Sequence, residues 1–183
     1  MDPFDEVLFE VGEVIGLAIR SVINVIRWVP EERANAMGPH VVDPRSGEVL
    51  SAHIQVWPAL LDGFGTYYWA LFGGGVDAQA ERLPLPDEKA GGILAYAIAH
   101  EVGHTLGLLH NQVASTAWTV KQLRDAGFAN RYGPNSSIMA YGRFNYVAQP
   151  GDGVTQLWGT IGPYDVAAIR YGYGVFGTDR DGE

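Results

Sequence analysis

Cysteine is absent from the chain, so there is no disulfide framework, and any metal centre must take its ligands from His, Asp and Glu. Histidine is scarce too, at five residues, which makes the spacing of those five informative. Basic residues are outnumbered, with 12 Lys and Arg against 21 Asp and Glu. The resulting net charge of −9 opposes binding to nucleic acid and to anionic membrane surfaces. No uncharged apolar run approaches the roughly 20 residues of a membrane span. The opening stretch, MDPFDEVLFEVGEV, carries no basic segment ahead of an apolar one and does not read as a signal peptide.

What is present is the composition of a folded protein. An apolar fraction of 47% over 183 residues is enough for one domain with a real core, and neither a repeat nor a linker interrupts it. Phe4, Val7, Leu8, Val11, Val14, Ile15, Ala18, Ile19 and Val22 fall three or four apart and predict an amphipathic helix with Asp2 as N-cap. Ile23 to Val29 is β-branched and aromatic, is stopped by Pro30, and reads as a strand.

A turn at Asp43 to Gly47 feeds a second strand, Val49 to Trp57. Its Leu50, Ala52, Ile54 and Val56 face the core, with Val49, Ser51, His53, Gln55 and Trp57 opposite. Residues 58–86 show no clean period and are expected to be irregular. From Pro86 a long helix, apolar nearly all round, runs to Gly107. Shorter helices are expected at Thr116 to Ala126, closed by Gly127, and at Tyr164 to Tyr171, closed by Gly172.

The chemistry concentrates in HEVGHTLGLLH, His100 to His110. On a helix His100 and His104 lie one turn apart on one face, so both imidazoles can reach one ion. Glu101 is rotated about 100° away, beside the ion without ligating it, as a general base requires. Gly107 permits the left-handed turn that lets His110 swing back to the same ion. Three neutral imidazoles leave one coordination position open, the arrangement of a catalytic zinc site. His40 and His53 match no motif and are expected to be structural or solvated. Asp165 is expected to act as a helix N-terminal acid.

This string resembles the extended zinc signature of the metzincin metallopeptidases, and SSIMAYG, Ser136 to Gly142, is similar to their methionine turn. The resemblance implies that Met139 is the turn methionine beneath the zinc ligands. It also implies that Tyr141, placed as in the astacin-like and serralysin-like branches, helps to stabilise the tetrahedral intermediate. INVIRWV, DPRSGEVLSAHI, HEVGHTLGLLHN and GPYDVAAIRYGYG together resemble the catalytic domain of large bacterial zinc-dependent metalloproteases. Asn111 stands where astacins carry an acid.

The implied fold is α+β and metzincin-like, a small twisted mixed sheet packed on the zinc helix and a mostly irregular C-terminal half ending in a helix. The N-terminal subdomain spans 1–107 and the C-terminal subdomain 108–183. The implied activity is a zinc-dependent endopeptidase with one Zn2+, and the implied setting is secreted or periplasmic. The substrate is a peptide in extended conformation, added along the edge of Val49 to Trp57, with specificity walls from Trp118, Tyr132, Phe144 and Tyr146. Two other readings share the same residues: a zinc-binding module without turnover, and an amidase acting on peptidoglycan stem peptides.

Overall fold

The computed structural model describes residues 23–174; the helix expected over the first 22 residues lies outside them. Four strands form one mixed sheet: β1 (Ile23–Trp28), β2 (Ala36–Met37), β3 (His40–Val42) and β4 (Val49–Val56). β4 is central. It pairs in parallel with β1 and in antiparallel with β2 and β3. This corrects the expectation that Val49 to Trp57 is the sheet edge: both sides of β4 are already hydrogen-bonded, and the cleft-side edge is β2. The β3–β4 connection is the expected turn, with the Gly47 N–H donating to the Asp43 carbonyl at 2.8 Å.

The alternation in β4 places Ala52, Ile54 and Val56 in the core. Leu50, expected on that face, is 49% exposed at the strand's open end. Trp57, expected on the outer face, is buried just past the last strand residue, with Arg33 standing 5.0 Å from its ring centroid.

The largest departure is α1, Ala59–Phe72, in a stretch expected to be irregular. Gly63 and Gly65 weaken its helical signal by about 1 kcal/mol each. Leu60, Phe64, Tyr68 and Phe72 nonetheless recur every fourth residue and lie against the core. Tertiary burial therefore decides the conformation where propensity does not. A one-turn 3-10 segment (Ala78–Ala80) follows, and then α2, Asp87–Thr105, with acids in its first turn as expected.

Packed apolar side chains join these elements. Ile54, Val56, Leu60 and Ala97 fill the space between the sheet, α1 and α2. Tyr68, Phe72, Ile93, Phe144 and Leu157 form the larger cluster, which ties the C-terminal half to the helices. Asp77 fastens α1 to α2: it accepts from the Tyr68 hydroxyl at 2.6 Å and pairs with Lys89 Nζ at 2.9 Å.

The C-terminal half is mostly loop, with short helices. The single helix expected at Thr116 to Ala126 is replaced by three pieces: a 3-10 segment (Gln112–Thr116), α3 (Val120–Leu123) and α4 (Ala126–Tyr132). Capping explains the breaks. Thr119 Oγ accepts from the Gln122 N–H, and Asp125 Oδ1 accepts from the Phe128 N–H at 2.8 Å, so each side chain starts a new helix. Gly127 consequently lies inside α4.

The last helix, α5, covers Pro163–Tyr173. It runs through Gly172 and ends at Gly174. Its Asp165 is a helix N-terminal acid and also a tie to the loop before it. Oδ2 accepts from the N–H groups of Gly162 (2.8 Å) and Ile138 (2.6 Å), and Oδ1 accepts from the Ser137 hydroxyl. Burial pushes this carboxyl's pKa up, and the three hydrogen bonds pull the other way. The Tyr173 hydroxyl, at the far end of α5, donates to the Leu106 carbonyl where α2 ends. Among the described residues no helix is long and apolar enough to cross a membrane.

Candidate metal centre

His100 and His104 occupy the last turns of α2, one turn apart on the cleft side. Their ring centroids lie 4.8 Å apart, and His110 stacks in at 5.3 Å from His100 and 4.6 Å from His104. The turn that returns His110 starts at Gly107, whose φ of +87° is a conformation that side chains disfavour. The Gly107 N–H donates to His104 O and the Leu108 N–H to Gly103 O, both at 3.0 Å, so the helix end satisfies its own last carbonyls. One residue past His110, the Asn111 N–H donates to the Met139 carbonyl at 3.0 Å.

The imidazoles are oriented by backbone oxygens. His100 Nδ1 lies 2.8 Å from the Ile138 carbonyl, and His104 Nδ1 lies 2.9 Å from the Leu108 carbonyl. A carbonyl only accepts, so each Nδ1 carries the proton and each Nε2 presents a lone pair. Burial, the largest influence in each case, lowers the pKa of both His100 and His110 and favours the neutral rings that a metal takes.

Together the three residues form a group whose ligand atoms all lie within 4.8 Å of one another and could hold a metal ion. Nε2 of His104 and Nε2 of His110 are 3.0 Å apart. In a tetrahedral site with bonds of roughly 2.0–2.1 Å, ligand nitrogens stand about 3.3 Å apart. The donor set therefore suits such an ion, and the His104–His110 pair stands close to that spacing.

Glu101 is buried beside this group, at 9% exposure. Burial raises its pKa, the largest influence, opposed by the neighbouring His104 imidazole and the Gly38 backbone. Gly38, in the β2–β3 segment, approaches α2 so closely that a Cβ there would run into the Glu101 carbonyl. Tyr141 packs its ring 4.4 Å from that of His110 and is half exposed. Met139 is fully buried beneath α2, against Tyr96 and Ile138.

The histidines, Glu101 and Tyr141 line one open cleft of about 560 Å³, bounded on the other side by residues 35–40. His40 is on that rim, exposed, and His53 is exposed on β4; neither belongs to the three-histidine group. The expected specificity walls are placed elsewhere. Trp118 packs on Phe128 with ring centroids 5.0 Å apart, Tyr132 joins the same aromatic cluster, Phe144 is core, and Tyr146 is exposed. The cleft is lined instead by Phe64, Gly38 and Arg143. Gly38 and Arg143 carry no motif, and Phe64 lies in the stretch expected to be irregular.

Comparison with known proteins bears on the half of the chain that holds these residues. Neither the curated proteins nor the solved structures gave a match. A family model described as Met-zincin matches residues 82–183, more than half of the chain, including the histidine string, the methionine turn and α5. With its three converging imidazoles, its buried methionine and its α+β architecture, the chain belongs to the Met-zincin family.

Proposed function

We propose that the chain is a zinc-dependent endopeptidase, with His100, His104 and His110 as metal ligands, Glu101 as general base and Tyr141 as an oxyanion donor. The observation that carries this reading is the preset pair of Nε2 lone pairs on His100 and His104, with a buried carboxylate beside them in an open cleft. Zinc bound there supplies a Lewis acid for the scissile carbonyl and makes a nearby water more acidic.

The chain's own residues do the remaining work. Glu101 accepts the proton of the attacking water and returns it to the leaving amine. Its burial, which raises the carboxyl pKa, favours holding that proton between the two transfers. The Tyr141 hydroxyl serves as donor to the oxygen on which negative charge develops. Gly107 shapes the turn to His110, and Met139 supports α2 from below. The outer edge of β2, unpaired among the described residues, receives the peptide as an added strand, which keeps the substrate extended along the cleft.

The test is digestion of a diverse peptide mixture by zinc-loaded protein, read by mass spectrometry, with Glu101→Ala as the blank. Cuts made by the wild type alone are expected. Glu101→Ala should keep its zinc and lose turnover, and His104→Ala should lose the zinc. Near-normal cleavage by Glu101→Ala would sink the mechanism. One zinc per chain with no cleavage would leave a binding module in place of an enzyme.

A further inference from the structure

The cleft contains a cation that no acid of the described chain neutralises. Arg143 lines the same cavity as the histidines. Its guanidinium carbon stands 5.1 Å from the Phe64 ring centroid and 5.5 Å from that of Tyr141. Among the described residues the acid–base pairs are Arg45–Asp43, Lys89–Asp77 and Arg124–Asp152, and the Arg143 side chain makes neither an ion pair nor a hydrogen bond. Glu101, the carboxylate of the cavity, forms no ion pair with it.

The base of this side chain is firmly fixed. The Arg143 N–H donates to the Tyr141 carbonyl at 2.8 Å, and the Arg143 carbonyl accepts from the Gly159 N–H at 3.0 Å. The next residue, Phe144, is buried and bridges to Trp158. The guanidinium is thus a positioned, half-buried charge between two aromatic faces, one of which, Tyr141, also packs on His110. Its field reaches Tyr96 on the cleft floor, where it opposes the burial that pushes the phenol up to about 12.

Among the described residues no acid forms an ion pair with this arginine, so its planar fork of donors is left to a ligand in the cavity that it lines. The rest of the floor is apolar, from Leu60, Phe64 and Ala97. A ligand that fills this space gains by presenting a carboxylate next to an apolar stretch.

We propose that Arg143 is a specificity-determining residue that pairs with a carboxylate of the bound peptide next to the bond to be cut. The proposal rests on the peptidase reading for the identity of the ligand. The carboxylate has two chemical sources, the side chain of Asp or Glu and the free C-terminus of a short peptide.

The experiment measures binding apart from turnover. Zinc-loaded Glu101→Gln protein is titrated by fluorescence anisotropy with hexapeptides in which one Glu is moved through the sequence. Gln counterparts are run alongside, and each peptide is made as the free acid and as the amide. One register of Glu, or the free acid alone, should bind about tenfold more tightly than its neutral counterpart. The identity of the preferred peptide names the source.

Adding Arg143→Gln should abolish that preference, Arg143→Lys should keep part of it, and Arg143→Glu should shift it toward Lys-containing peptides. A merely structural arginine would not reverse the charge preference. Equal binding of charged and neutral peptides, or of none, overturns the proposal, as does a preference that survives Arg143→Gln. Charge-selective binding that depends on Arg143, without cleavage by the wild type, would instead count against the peptidase reading alone.

Discussion

At Gly103 the inner face of α2 meets Met139, and a Cβ added there would run into the methionine sulfur. The glycine and the methionine are therefore complementary: the small residue lets the fully buried side chain rise directly under the turn of helix that holds His100 and His104. Gly103→Ala should cost about 1–3 kcal/mol by overpacking, read as a fall in the urea midpoint. A companion Met139→Ala should recover part of that loss in the double variant, because it removes the obstructing sulfur. Strict additivity of the two would show that they do not share the contact. At this scale the sequence was most informative, since five fixed positions of HEVGHTLGLLH specify the histidine geometry, through helix pitch for His100 and His104 and through the Gly107 turn for His110. Gly38 and Arg143 were illegible because their roles arise from contacts across the cleft, and no spacing rule reports those.

Between elements, two acids do most of the fastening. Asp165 holds Ile138, Ser137 and Gly162 to the start of α5 through three donors. Asp165→Asn would turn an amide N–H₂ toward some of those donors, at a cost of about 2–4 kcal/mol. It should also weaken zinc binding about tenfold, because the Ile138 carbonyl that orients His100 would shift; calorimetric unfolding and a zinc titration read the two effects. Asp77 joins α1 to α2. Burial raises its pKa, but the bonds from Lys89, Tyr68 and Gln79 outweigh this and hold it below its ordinary 3.8. Its folded pKa is depressed, so its contribution is present above the unfolded value and is lost as pH falls from about 4 through the lower folded value. Asp77→Asn should therefore be less stable than wild type by about 1 kcal/mol at neutral pH, with the two urea midpoints converging as pH falls through the depressed folded pKa. A gap that persists in acid would dismiss the ion pair as the source. The helix Ala59–Phe72 hid from sequence reading for a related reason: its glycines argue against helix locally, and only the partners of Leu60, Tyr68 and Phe72 decide the matter. The centrality of β4 was equally hidden, because alternation identifies a strand's faces and not its neighbours.

For the whole molecule, a metal held by residues from both halves should act as a cross-tie. Zinc at 100 times its dissociation constant should add about 2.7 kcal/mol, raising Tm by roughly 5–10 °C for a chain of this size. A chelator should reverse the rise and His110→Ala should remove it; no change in Tm with zinc would exclude tight binding to the folded state. The two preset histidines also differ in when they can be set. His104 is oriented by Leu108, separated from it by four positions, and His100 by Ile138, separated by 38. The first contact closes with the helix end, as fast as local structure forms, whereas the second must wait for a long loop to close. On an emerging polypeptide, His104 therefore acquires its proton tautomer and ring angle while His100 still rotates freely. The pair of preset rings is complete only once the segment around residue 138 has come out and docked.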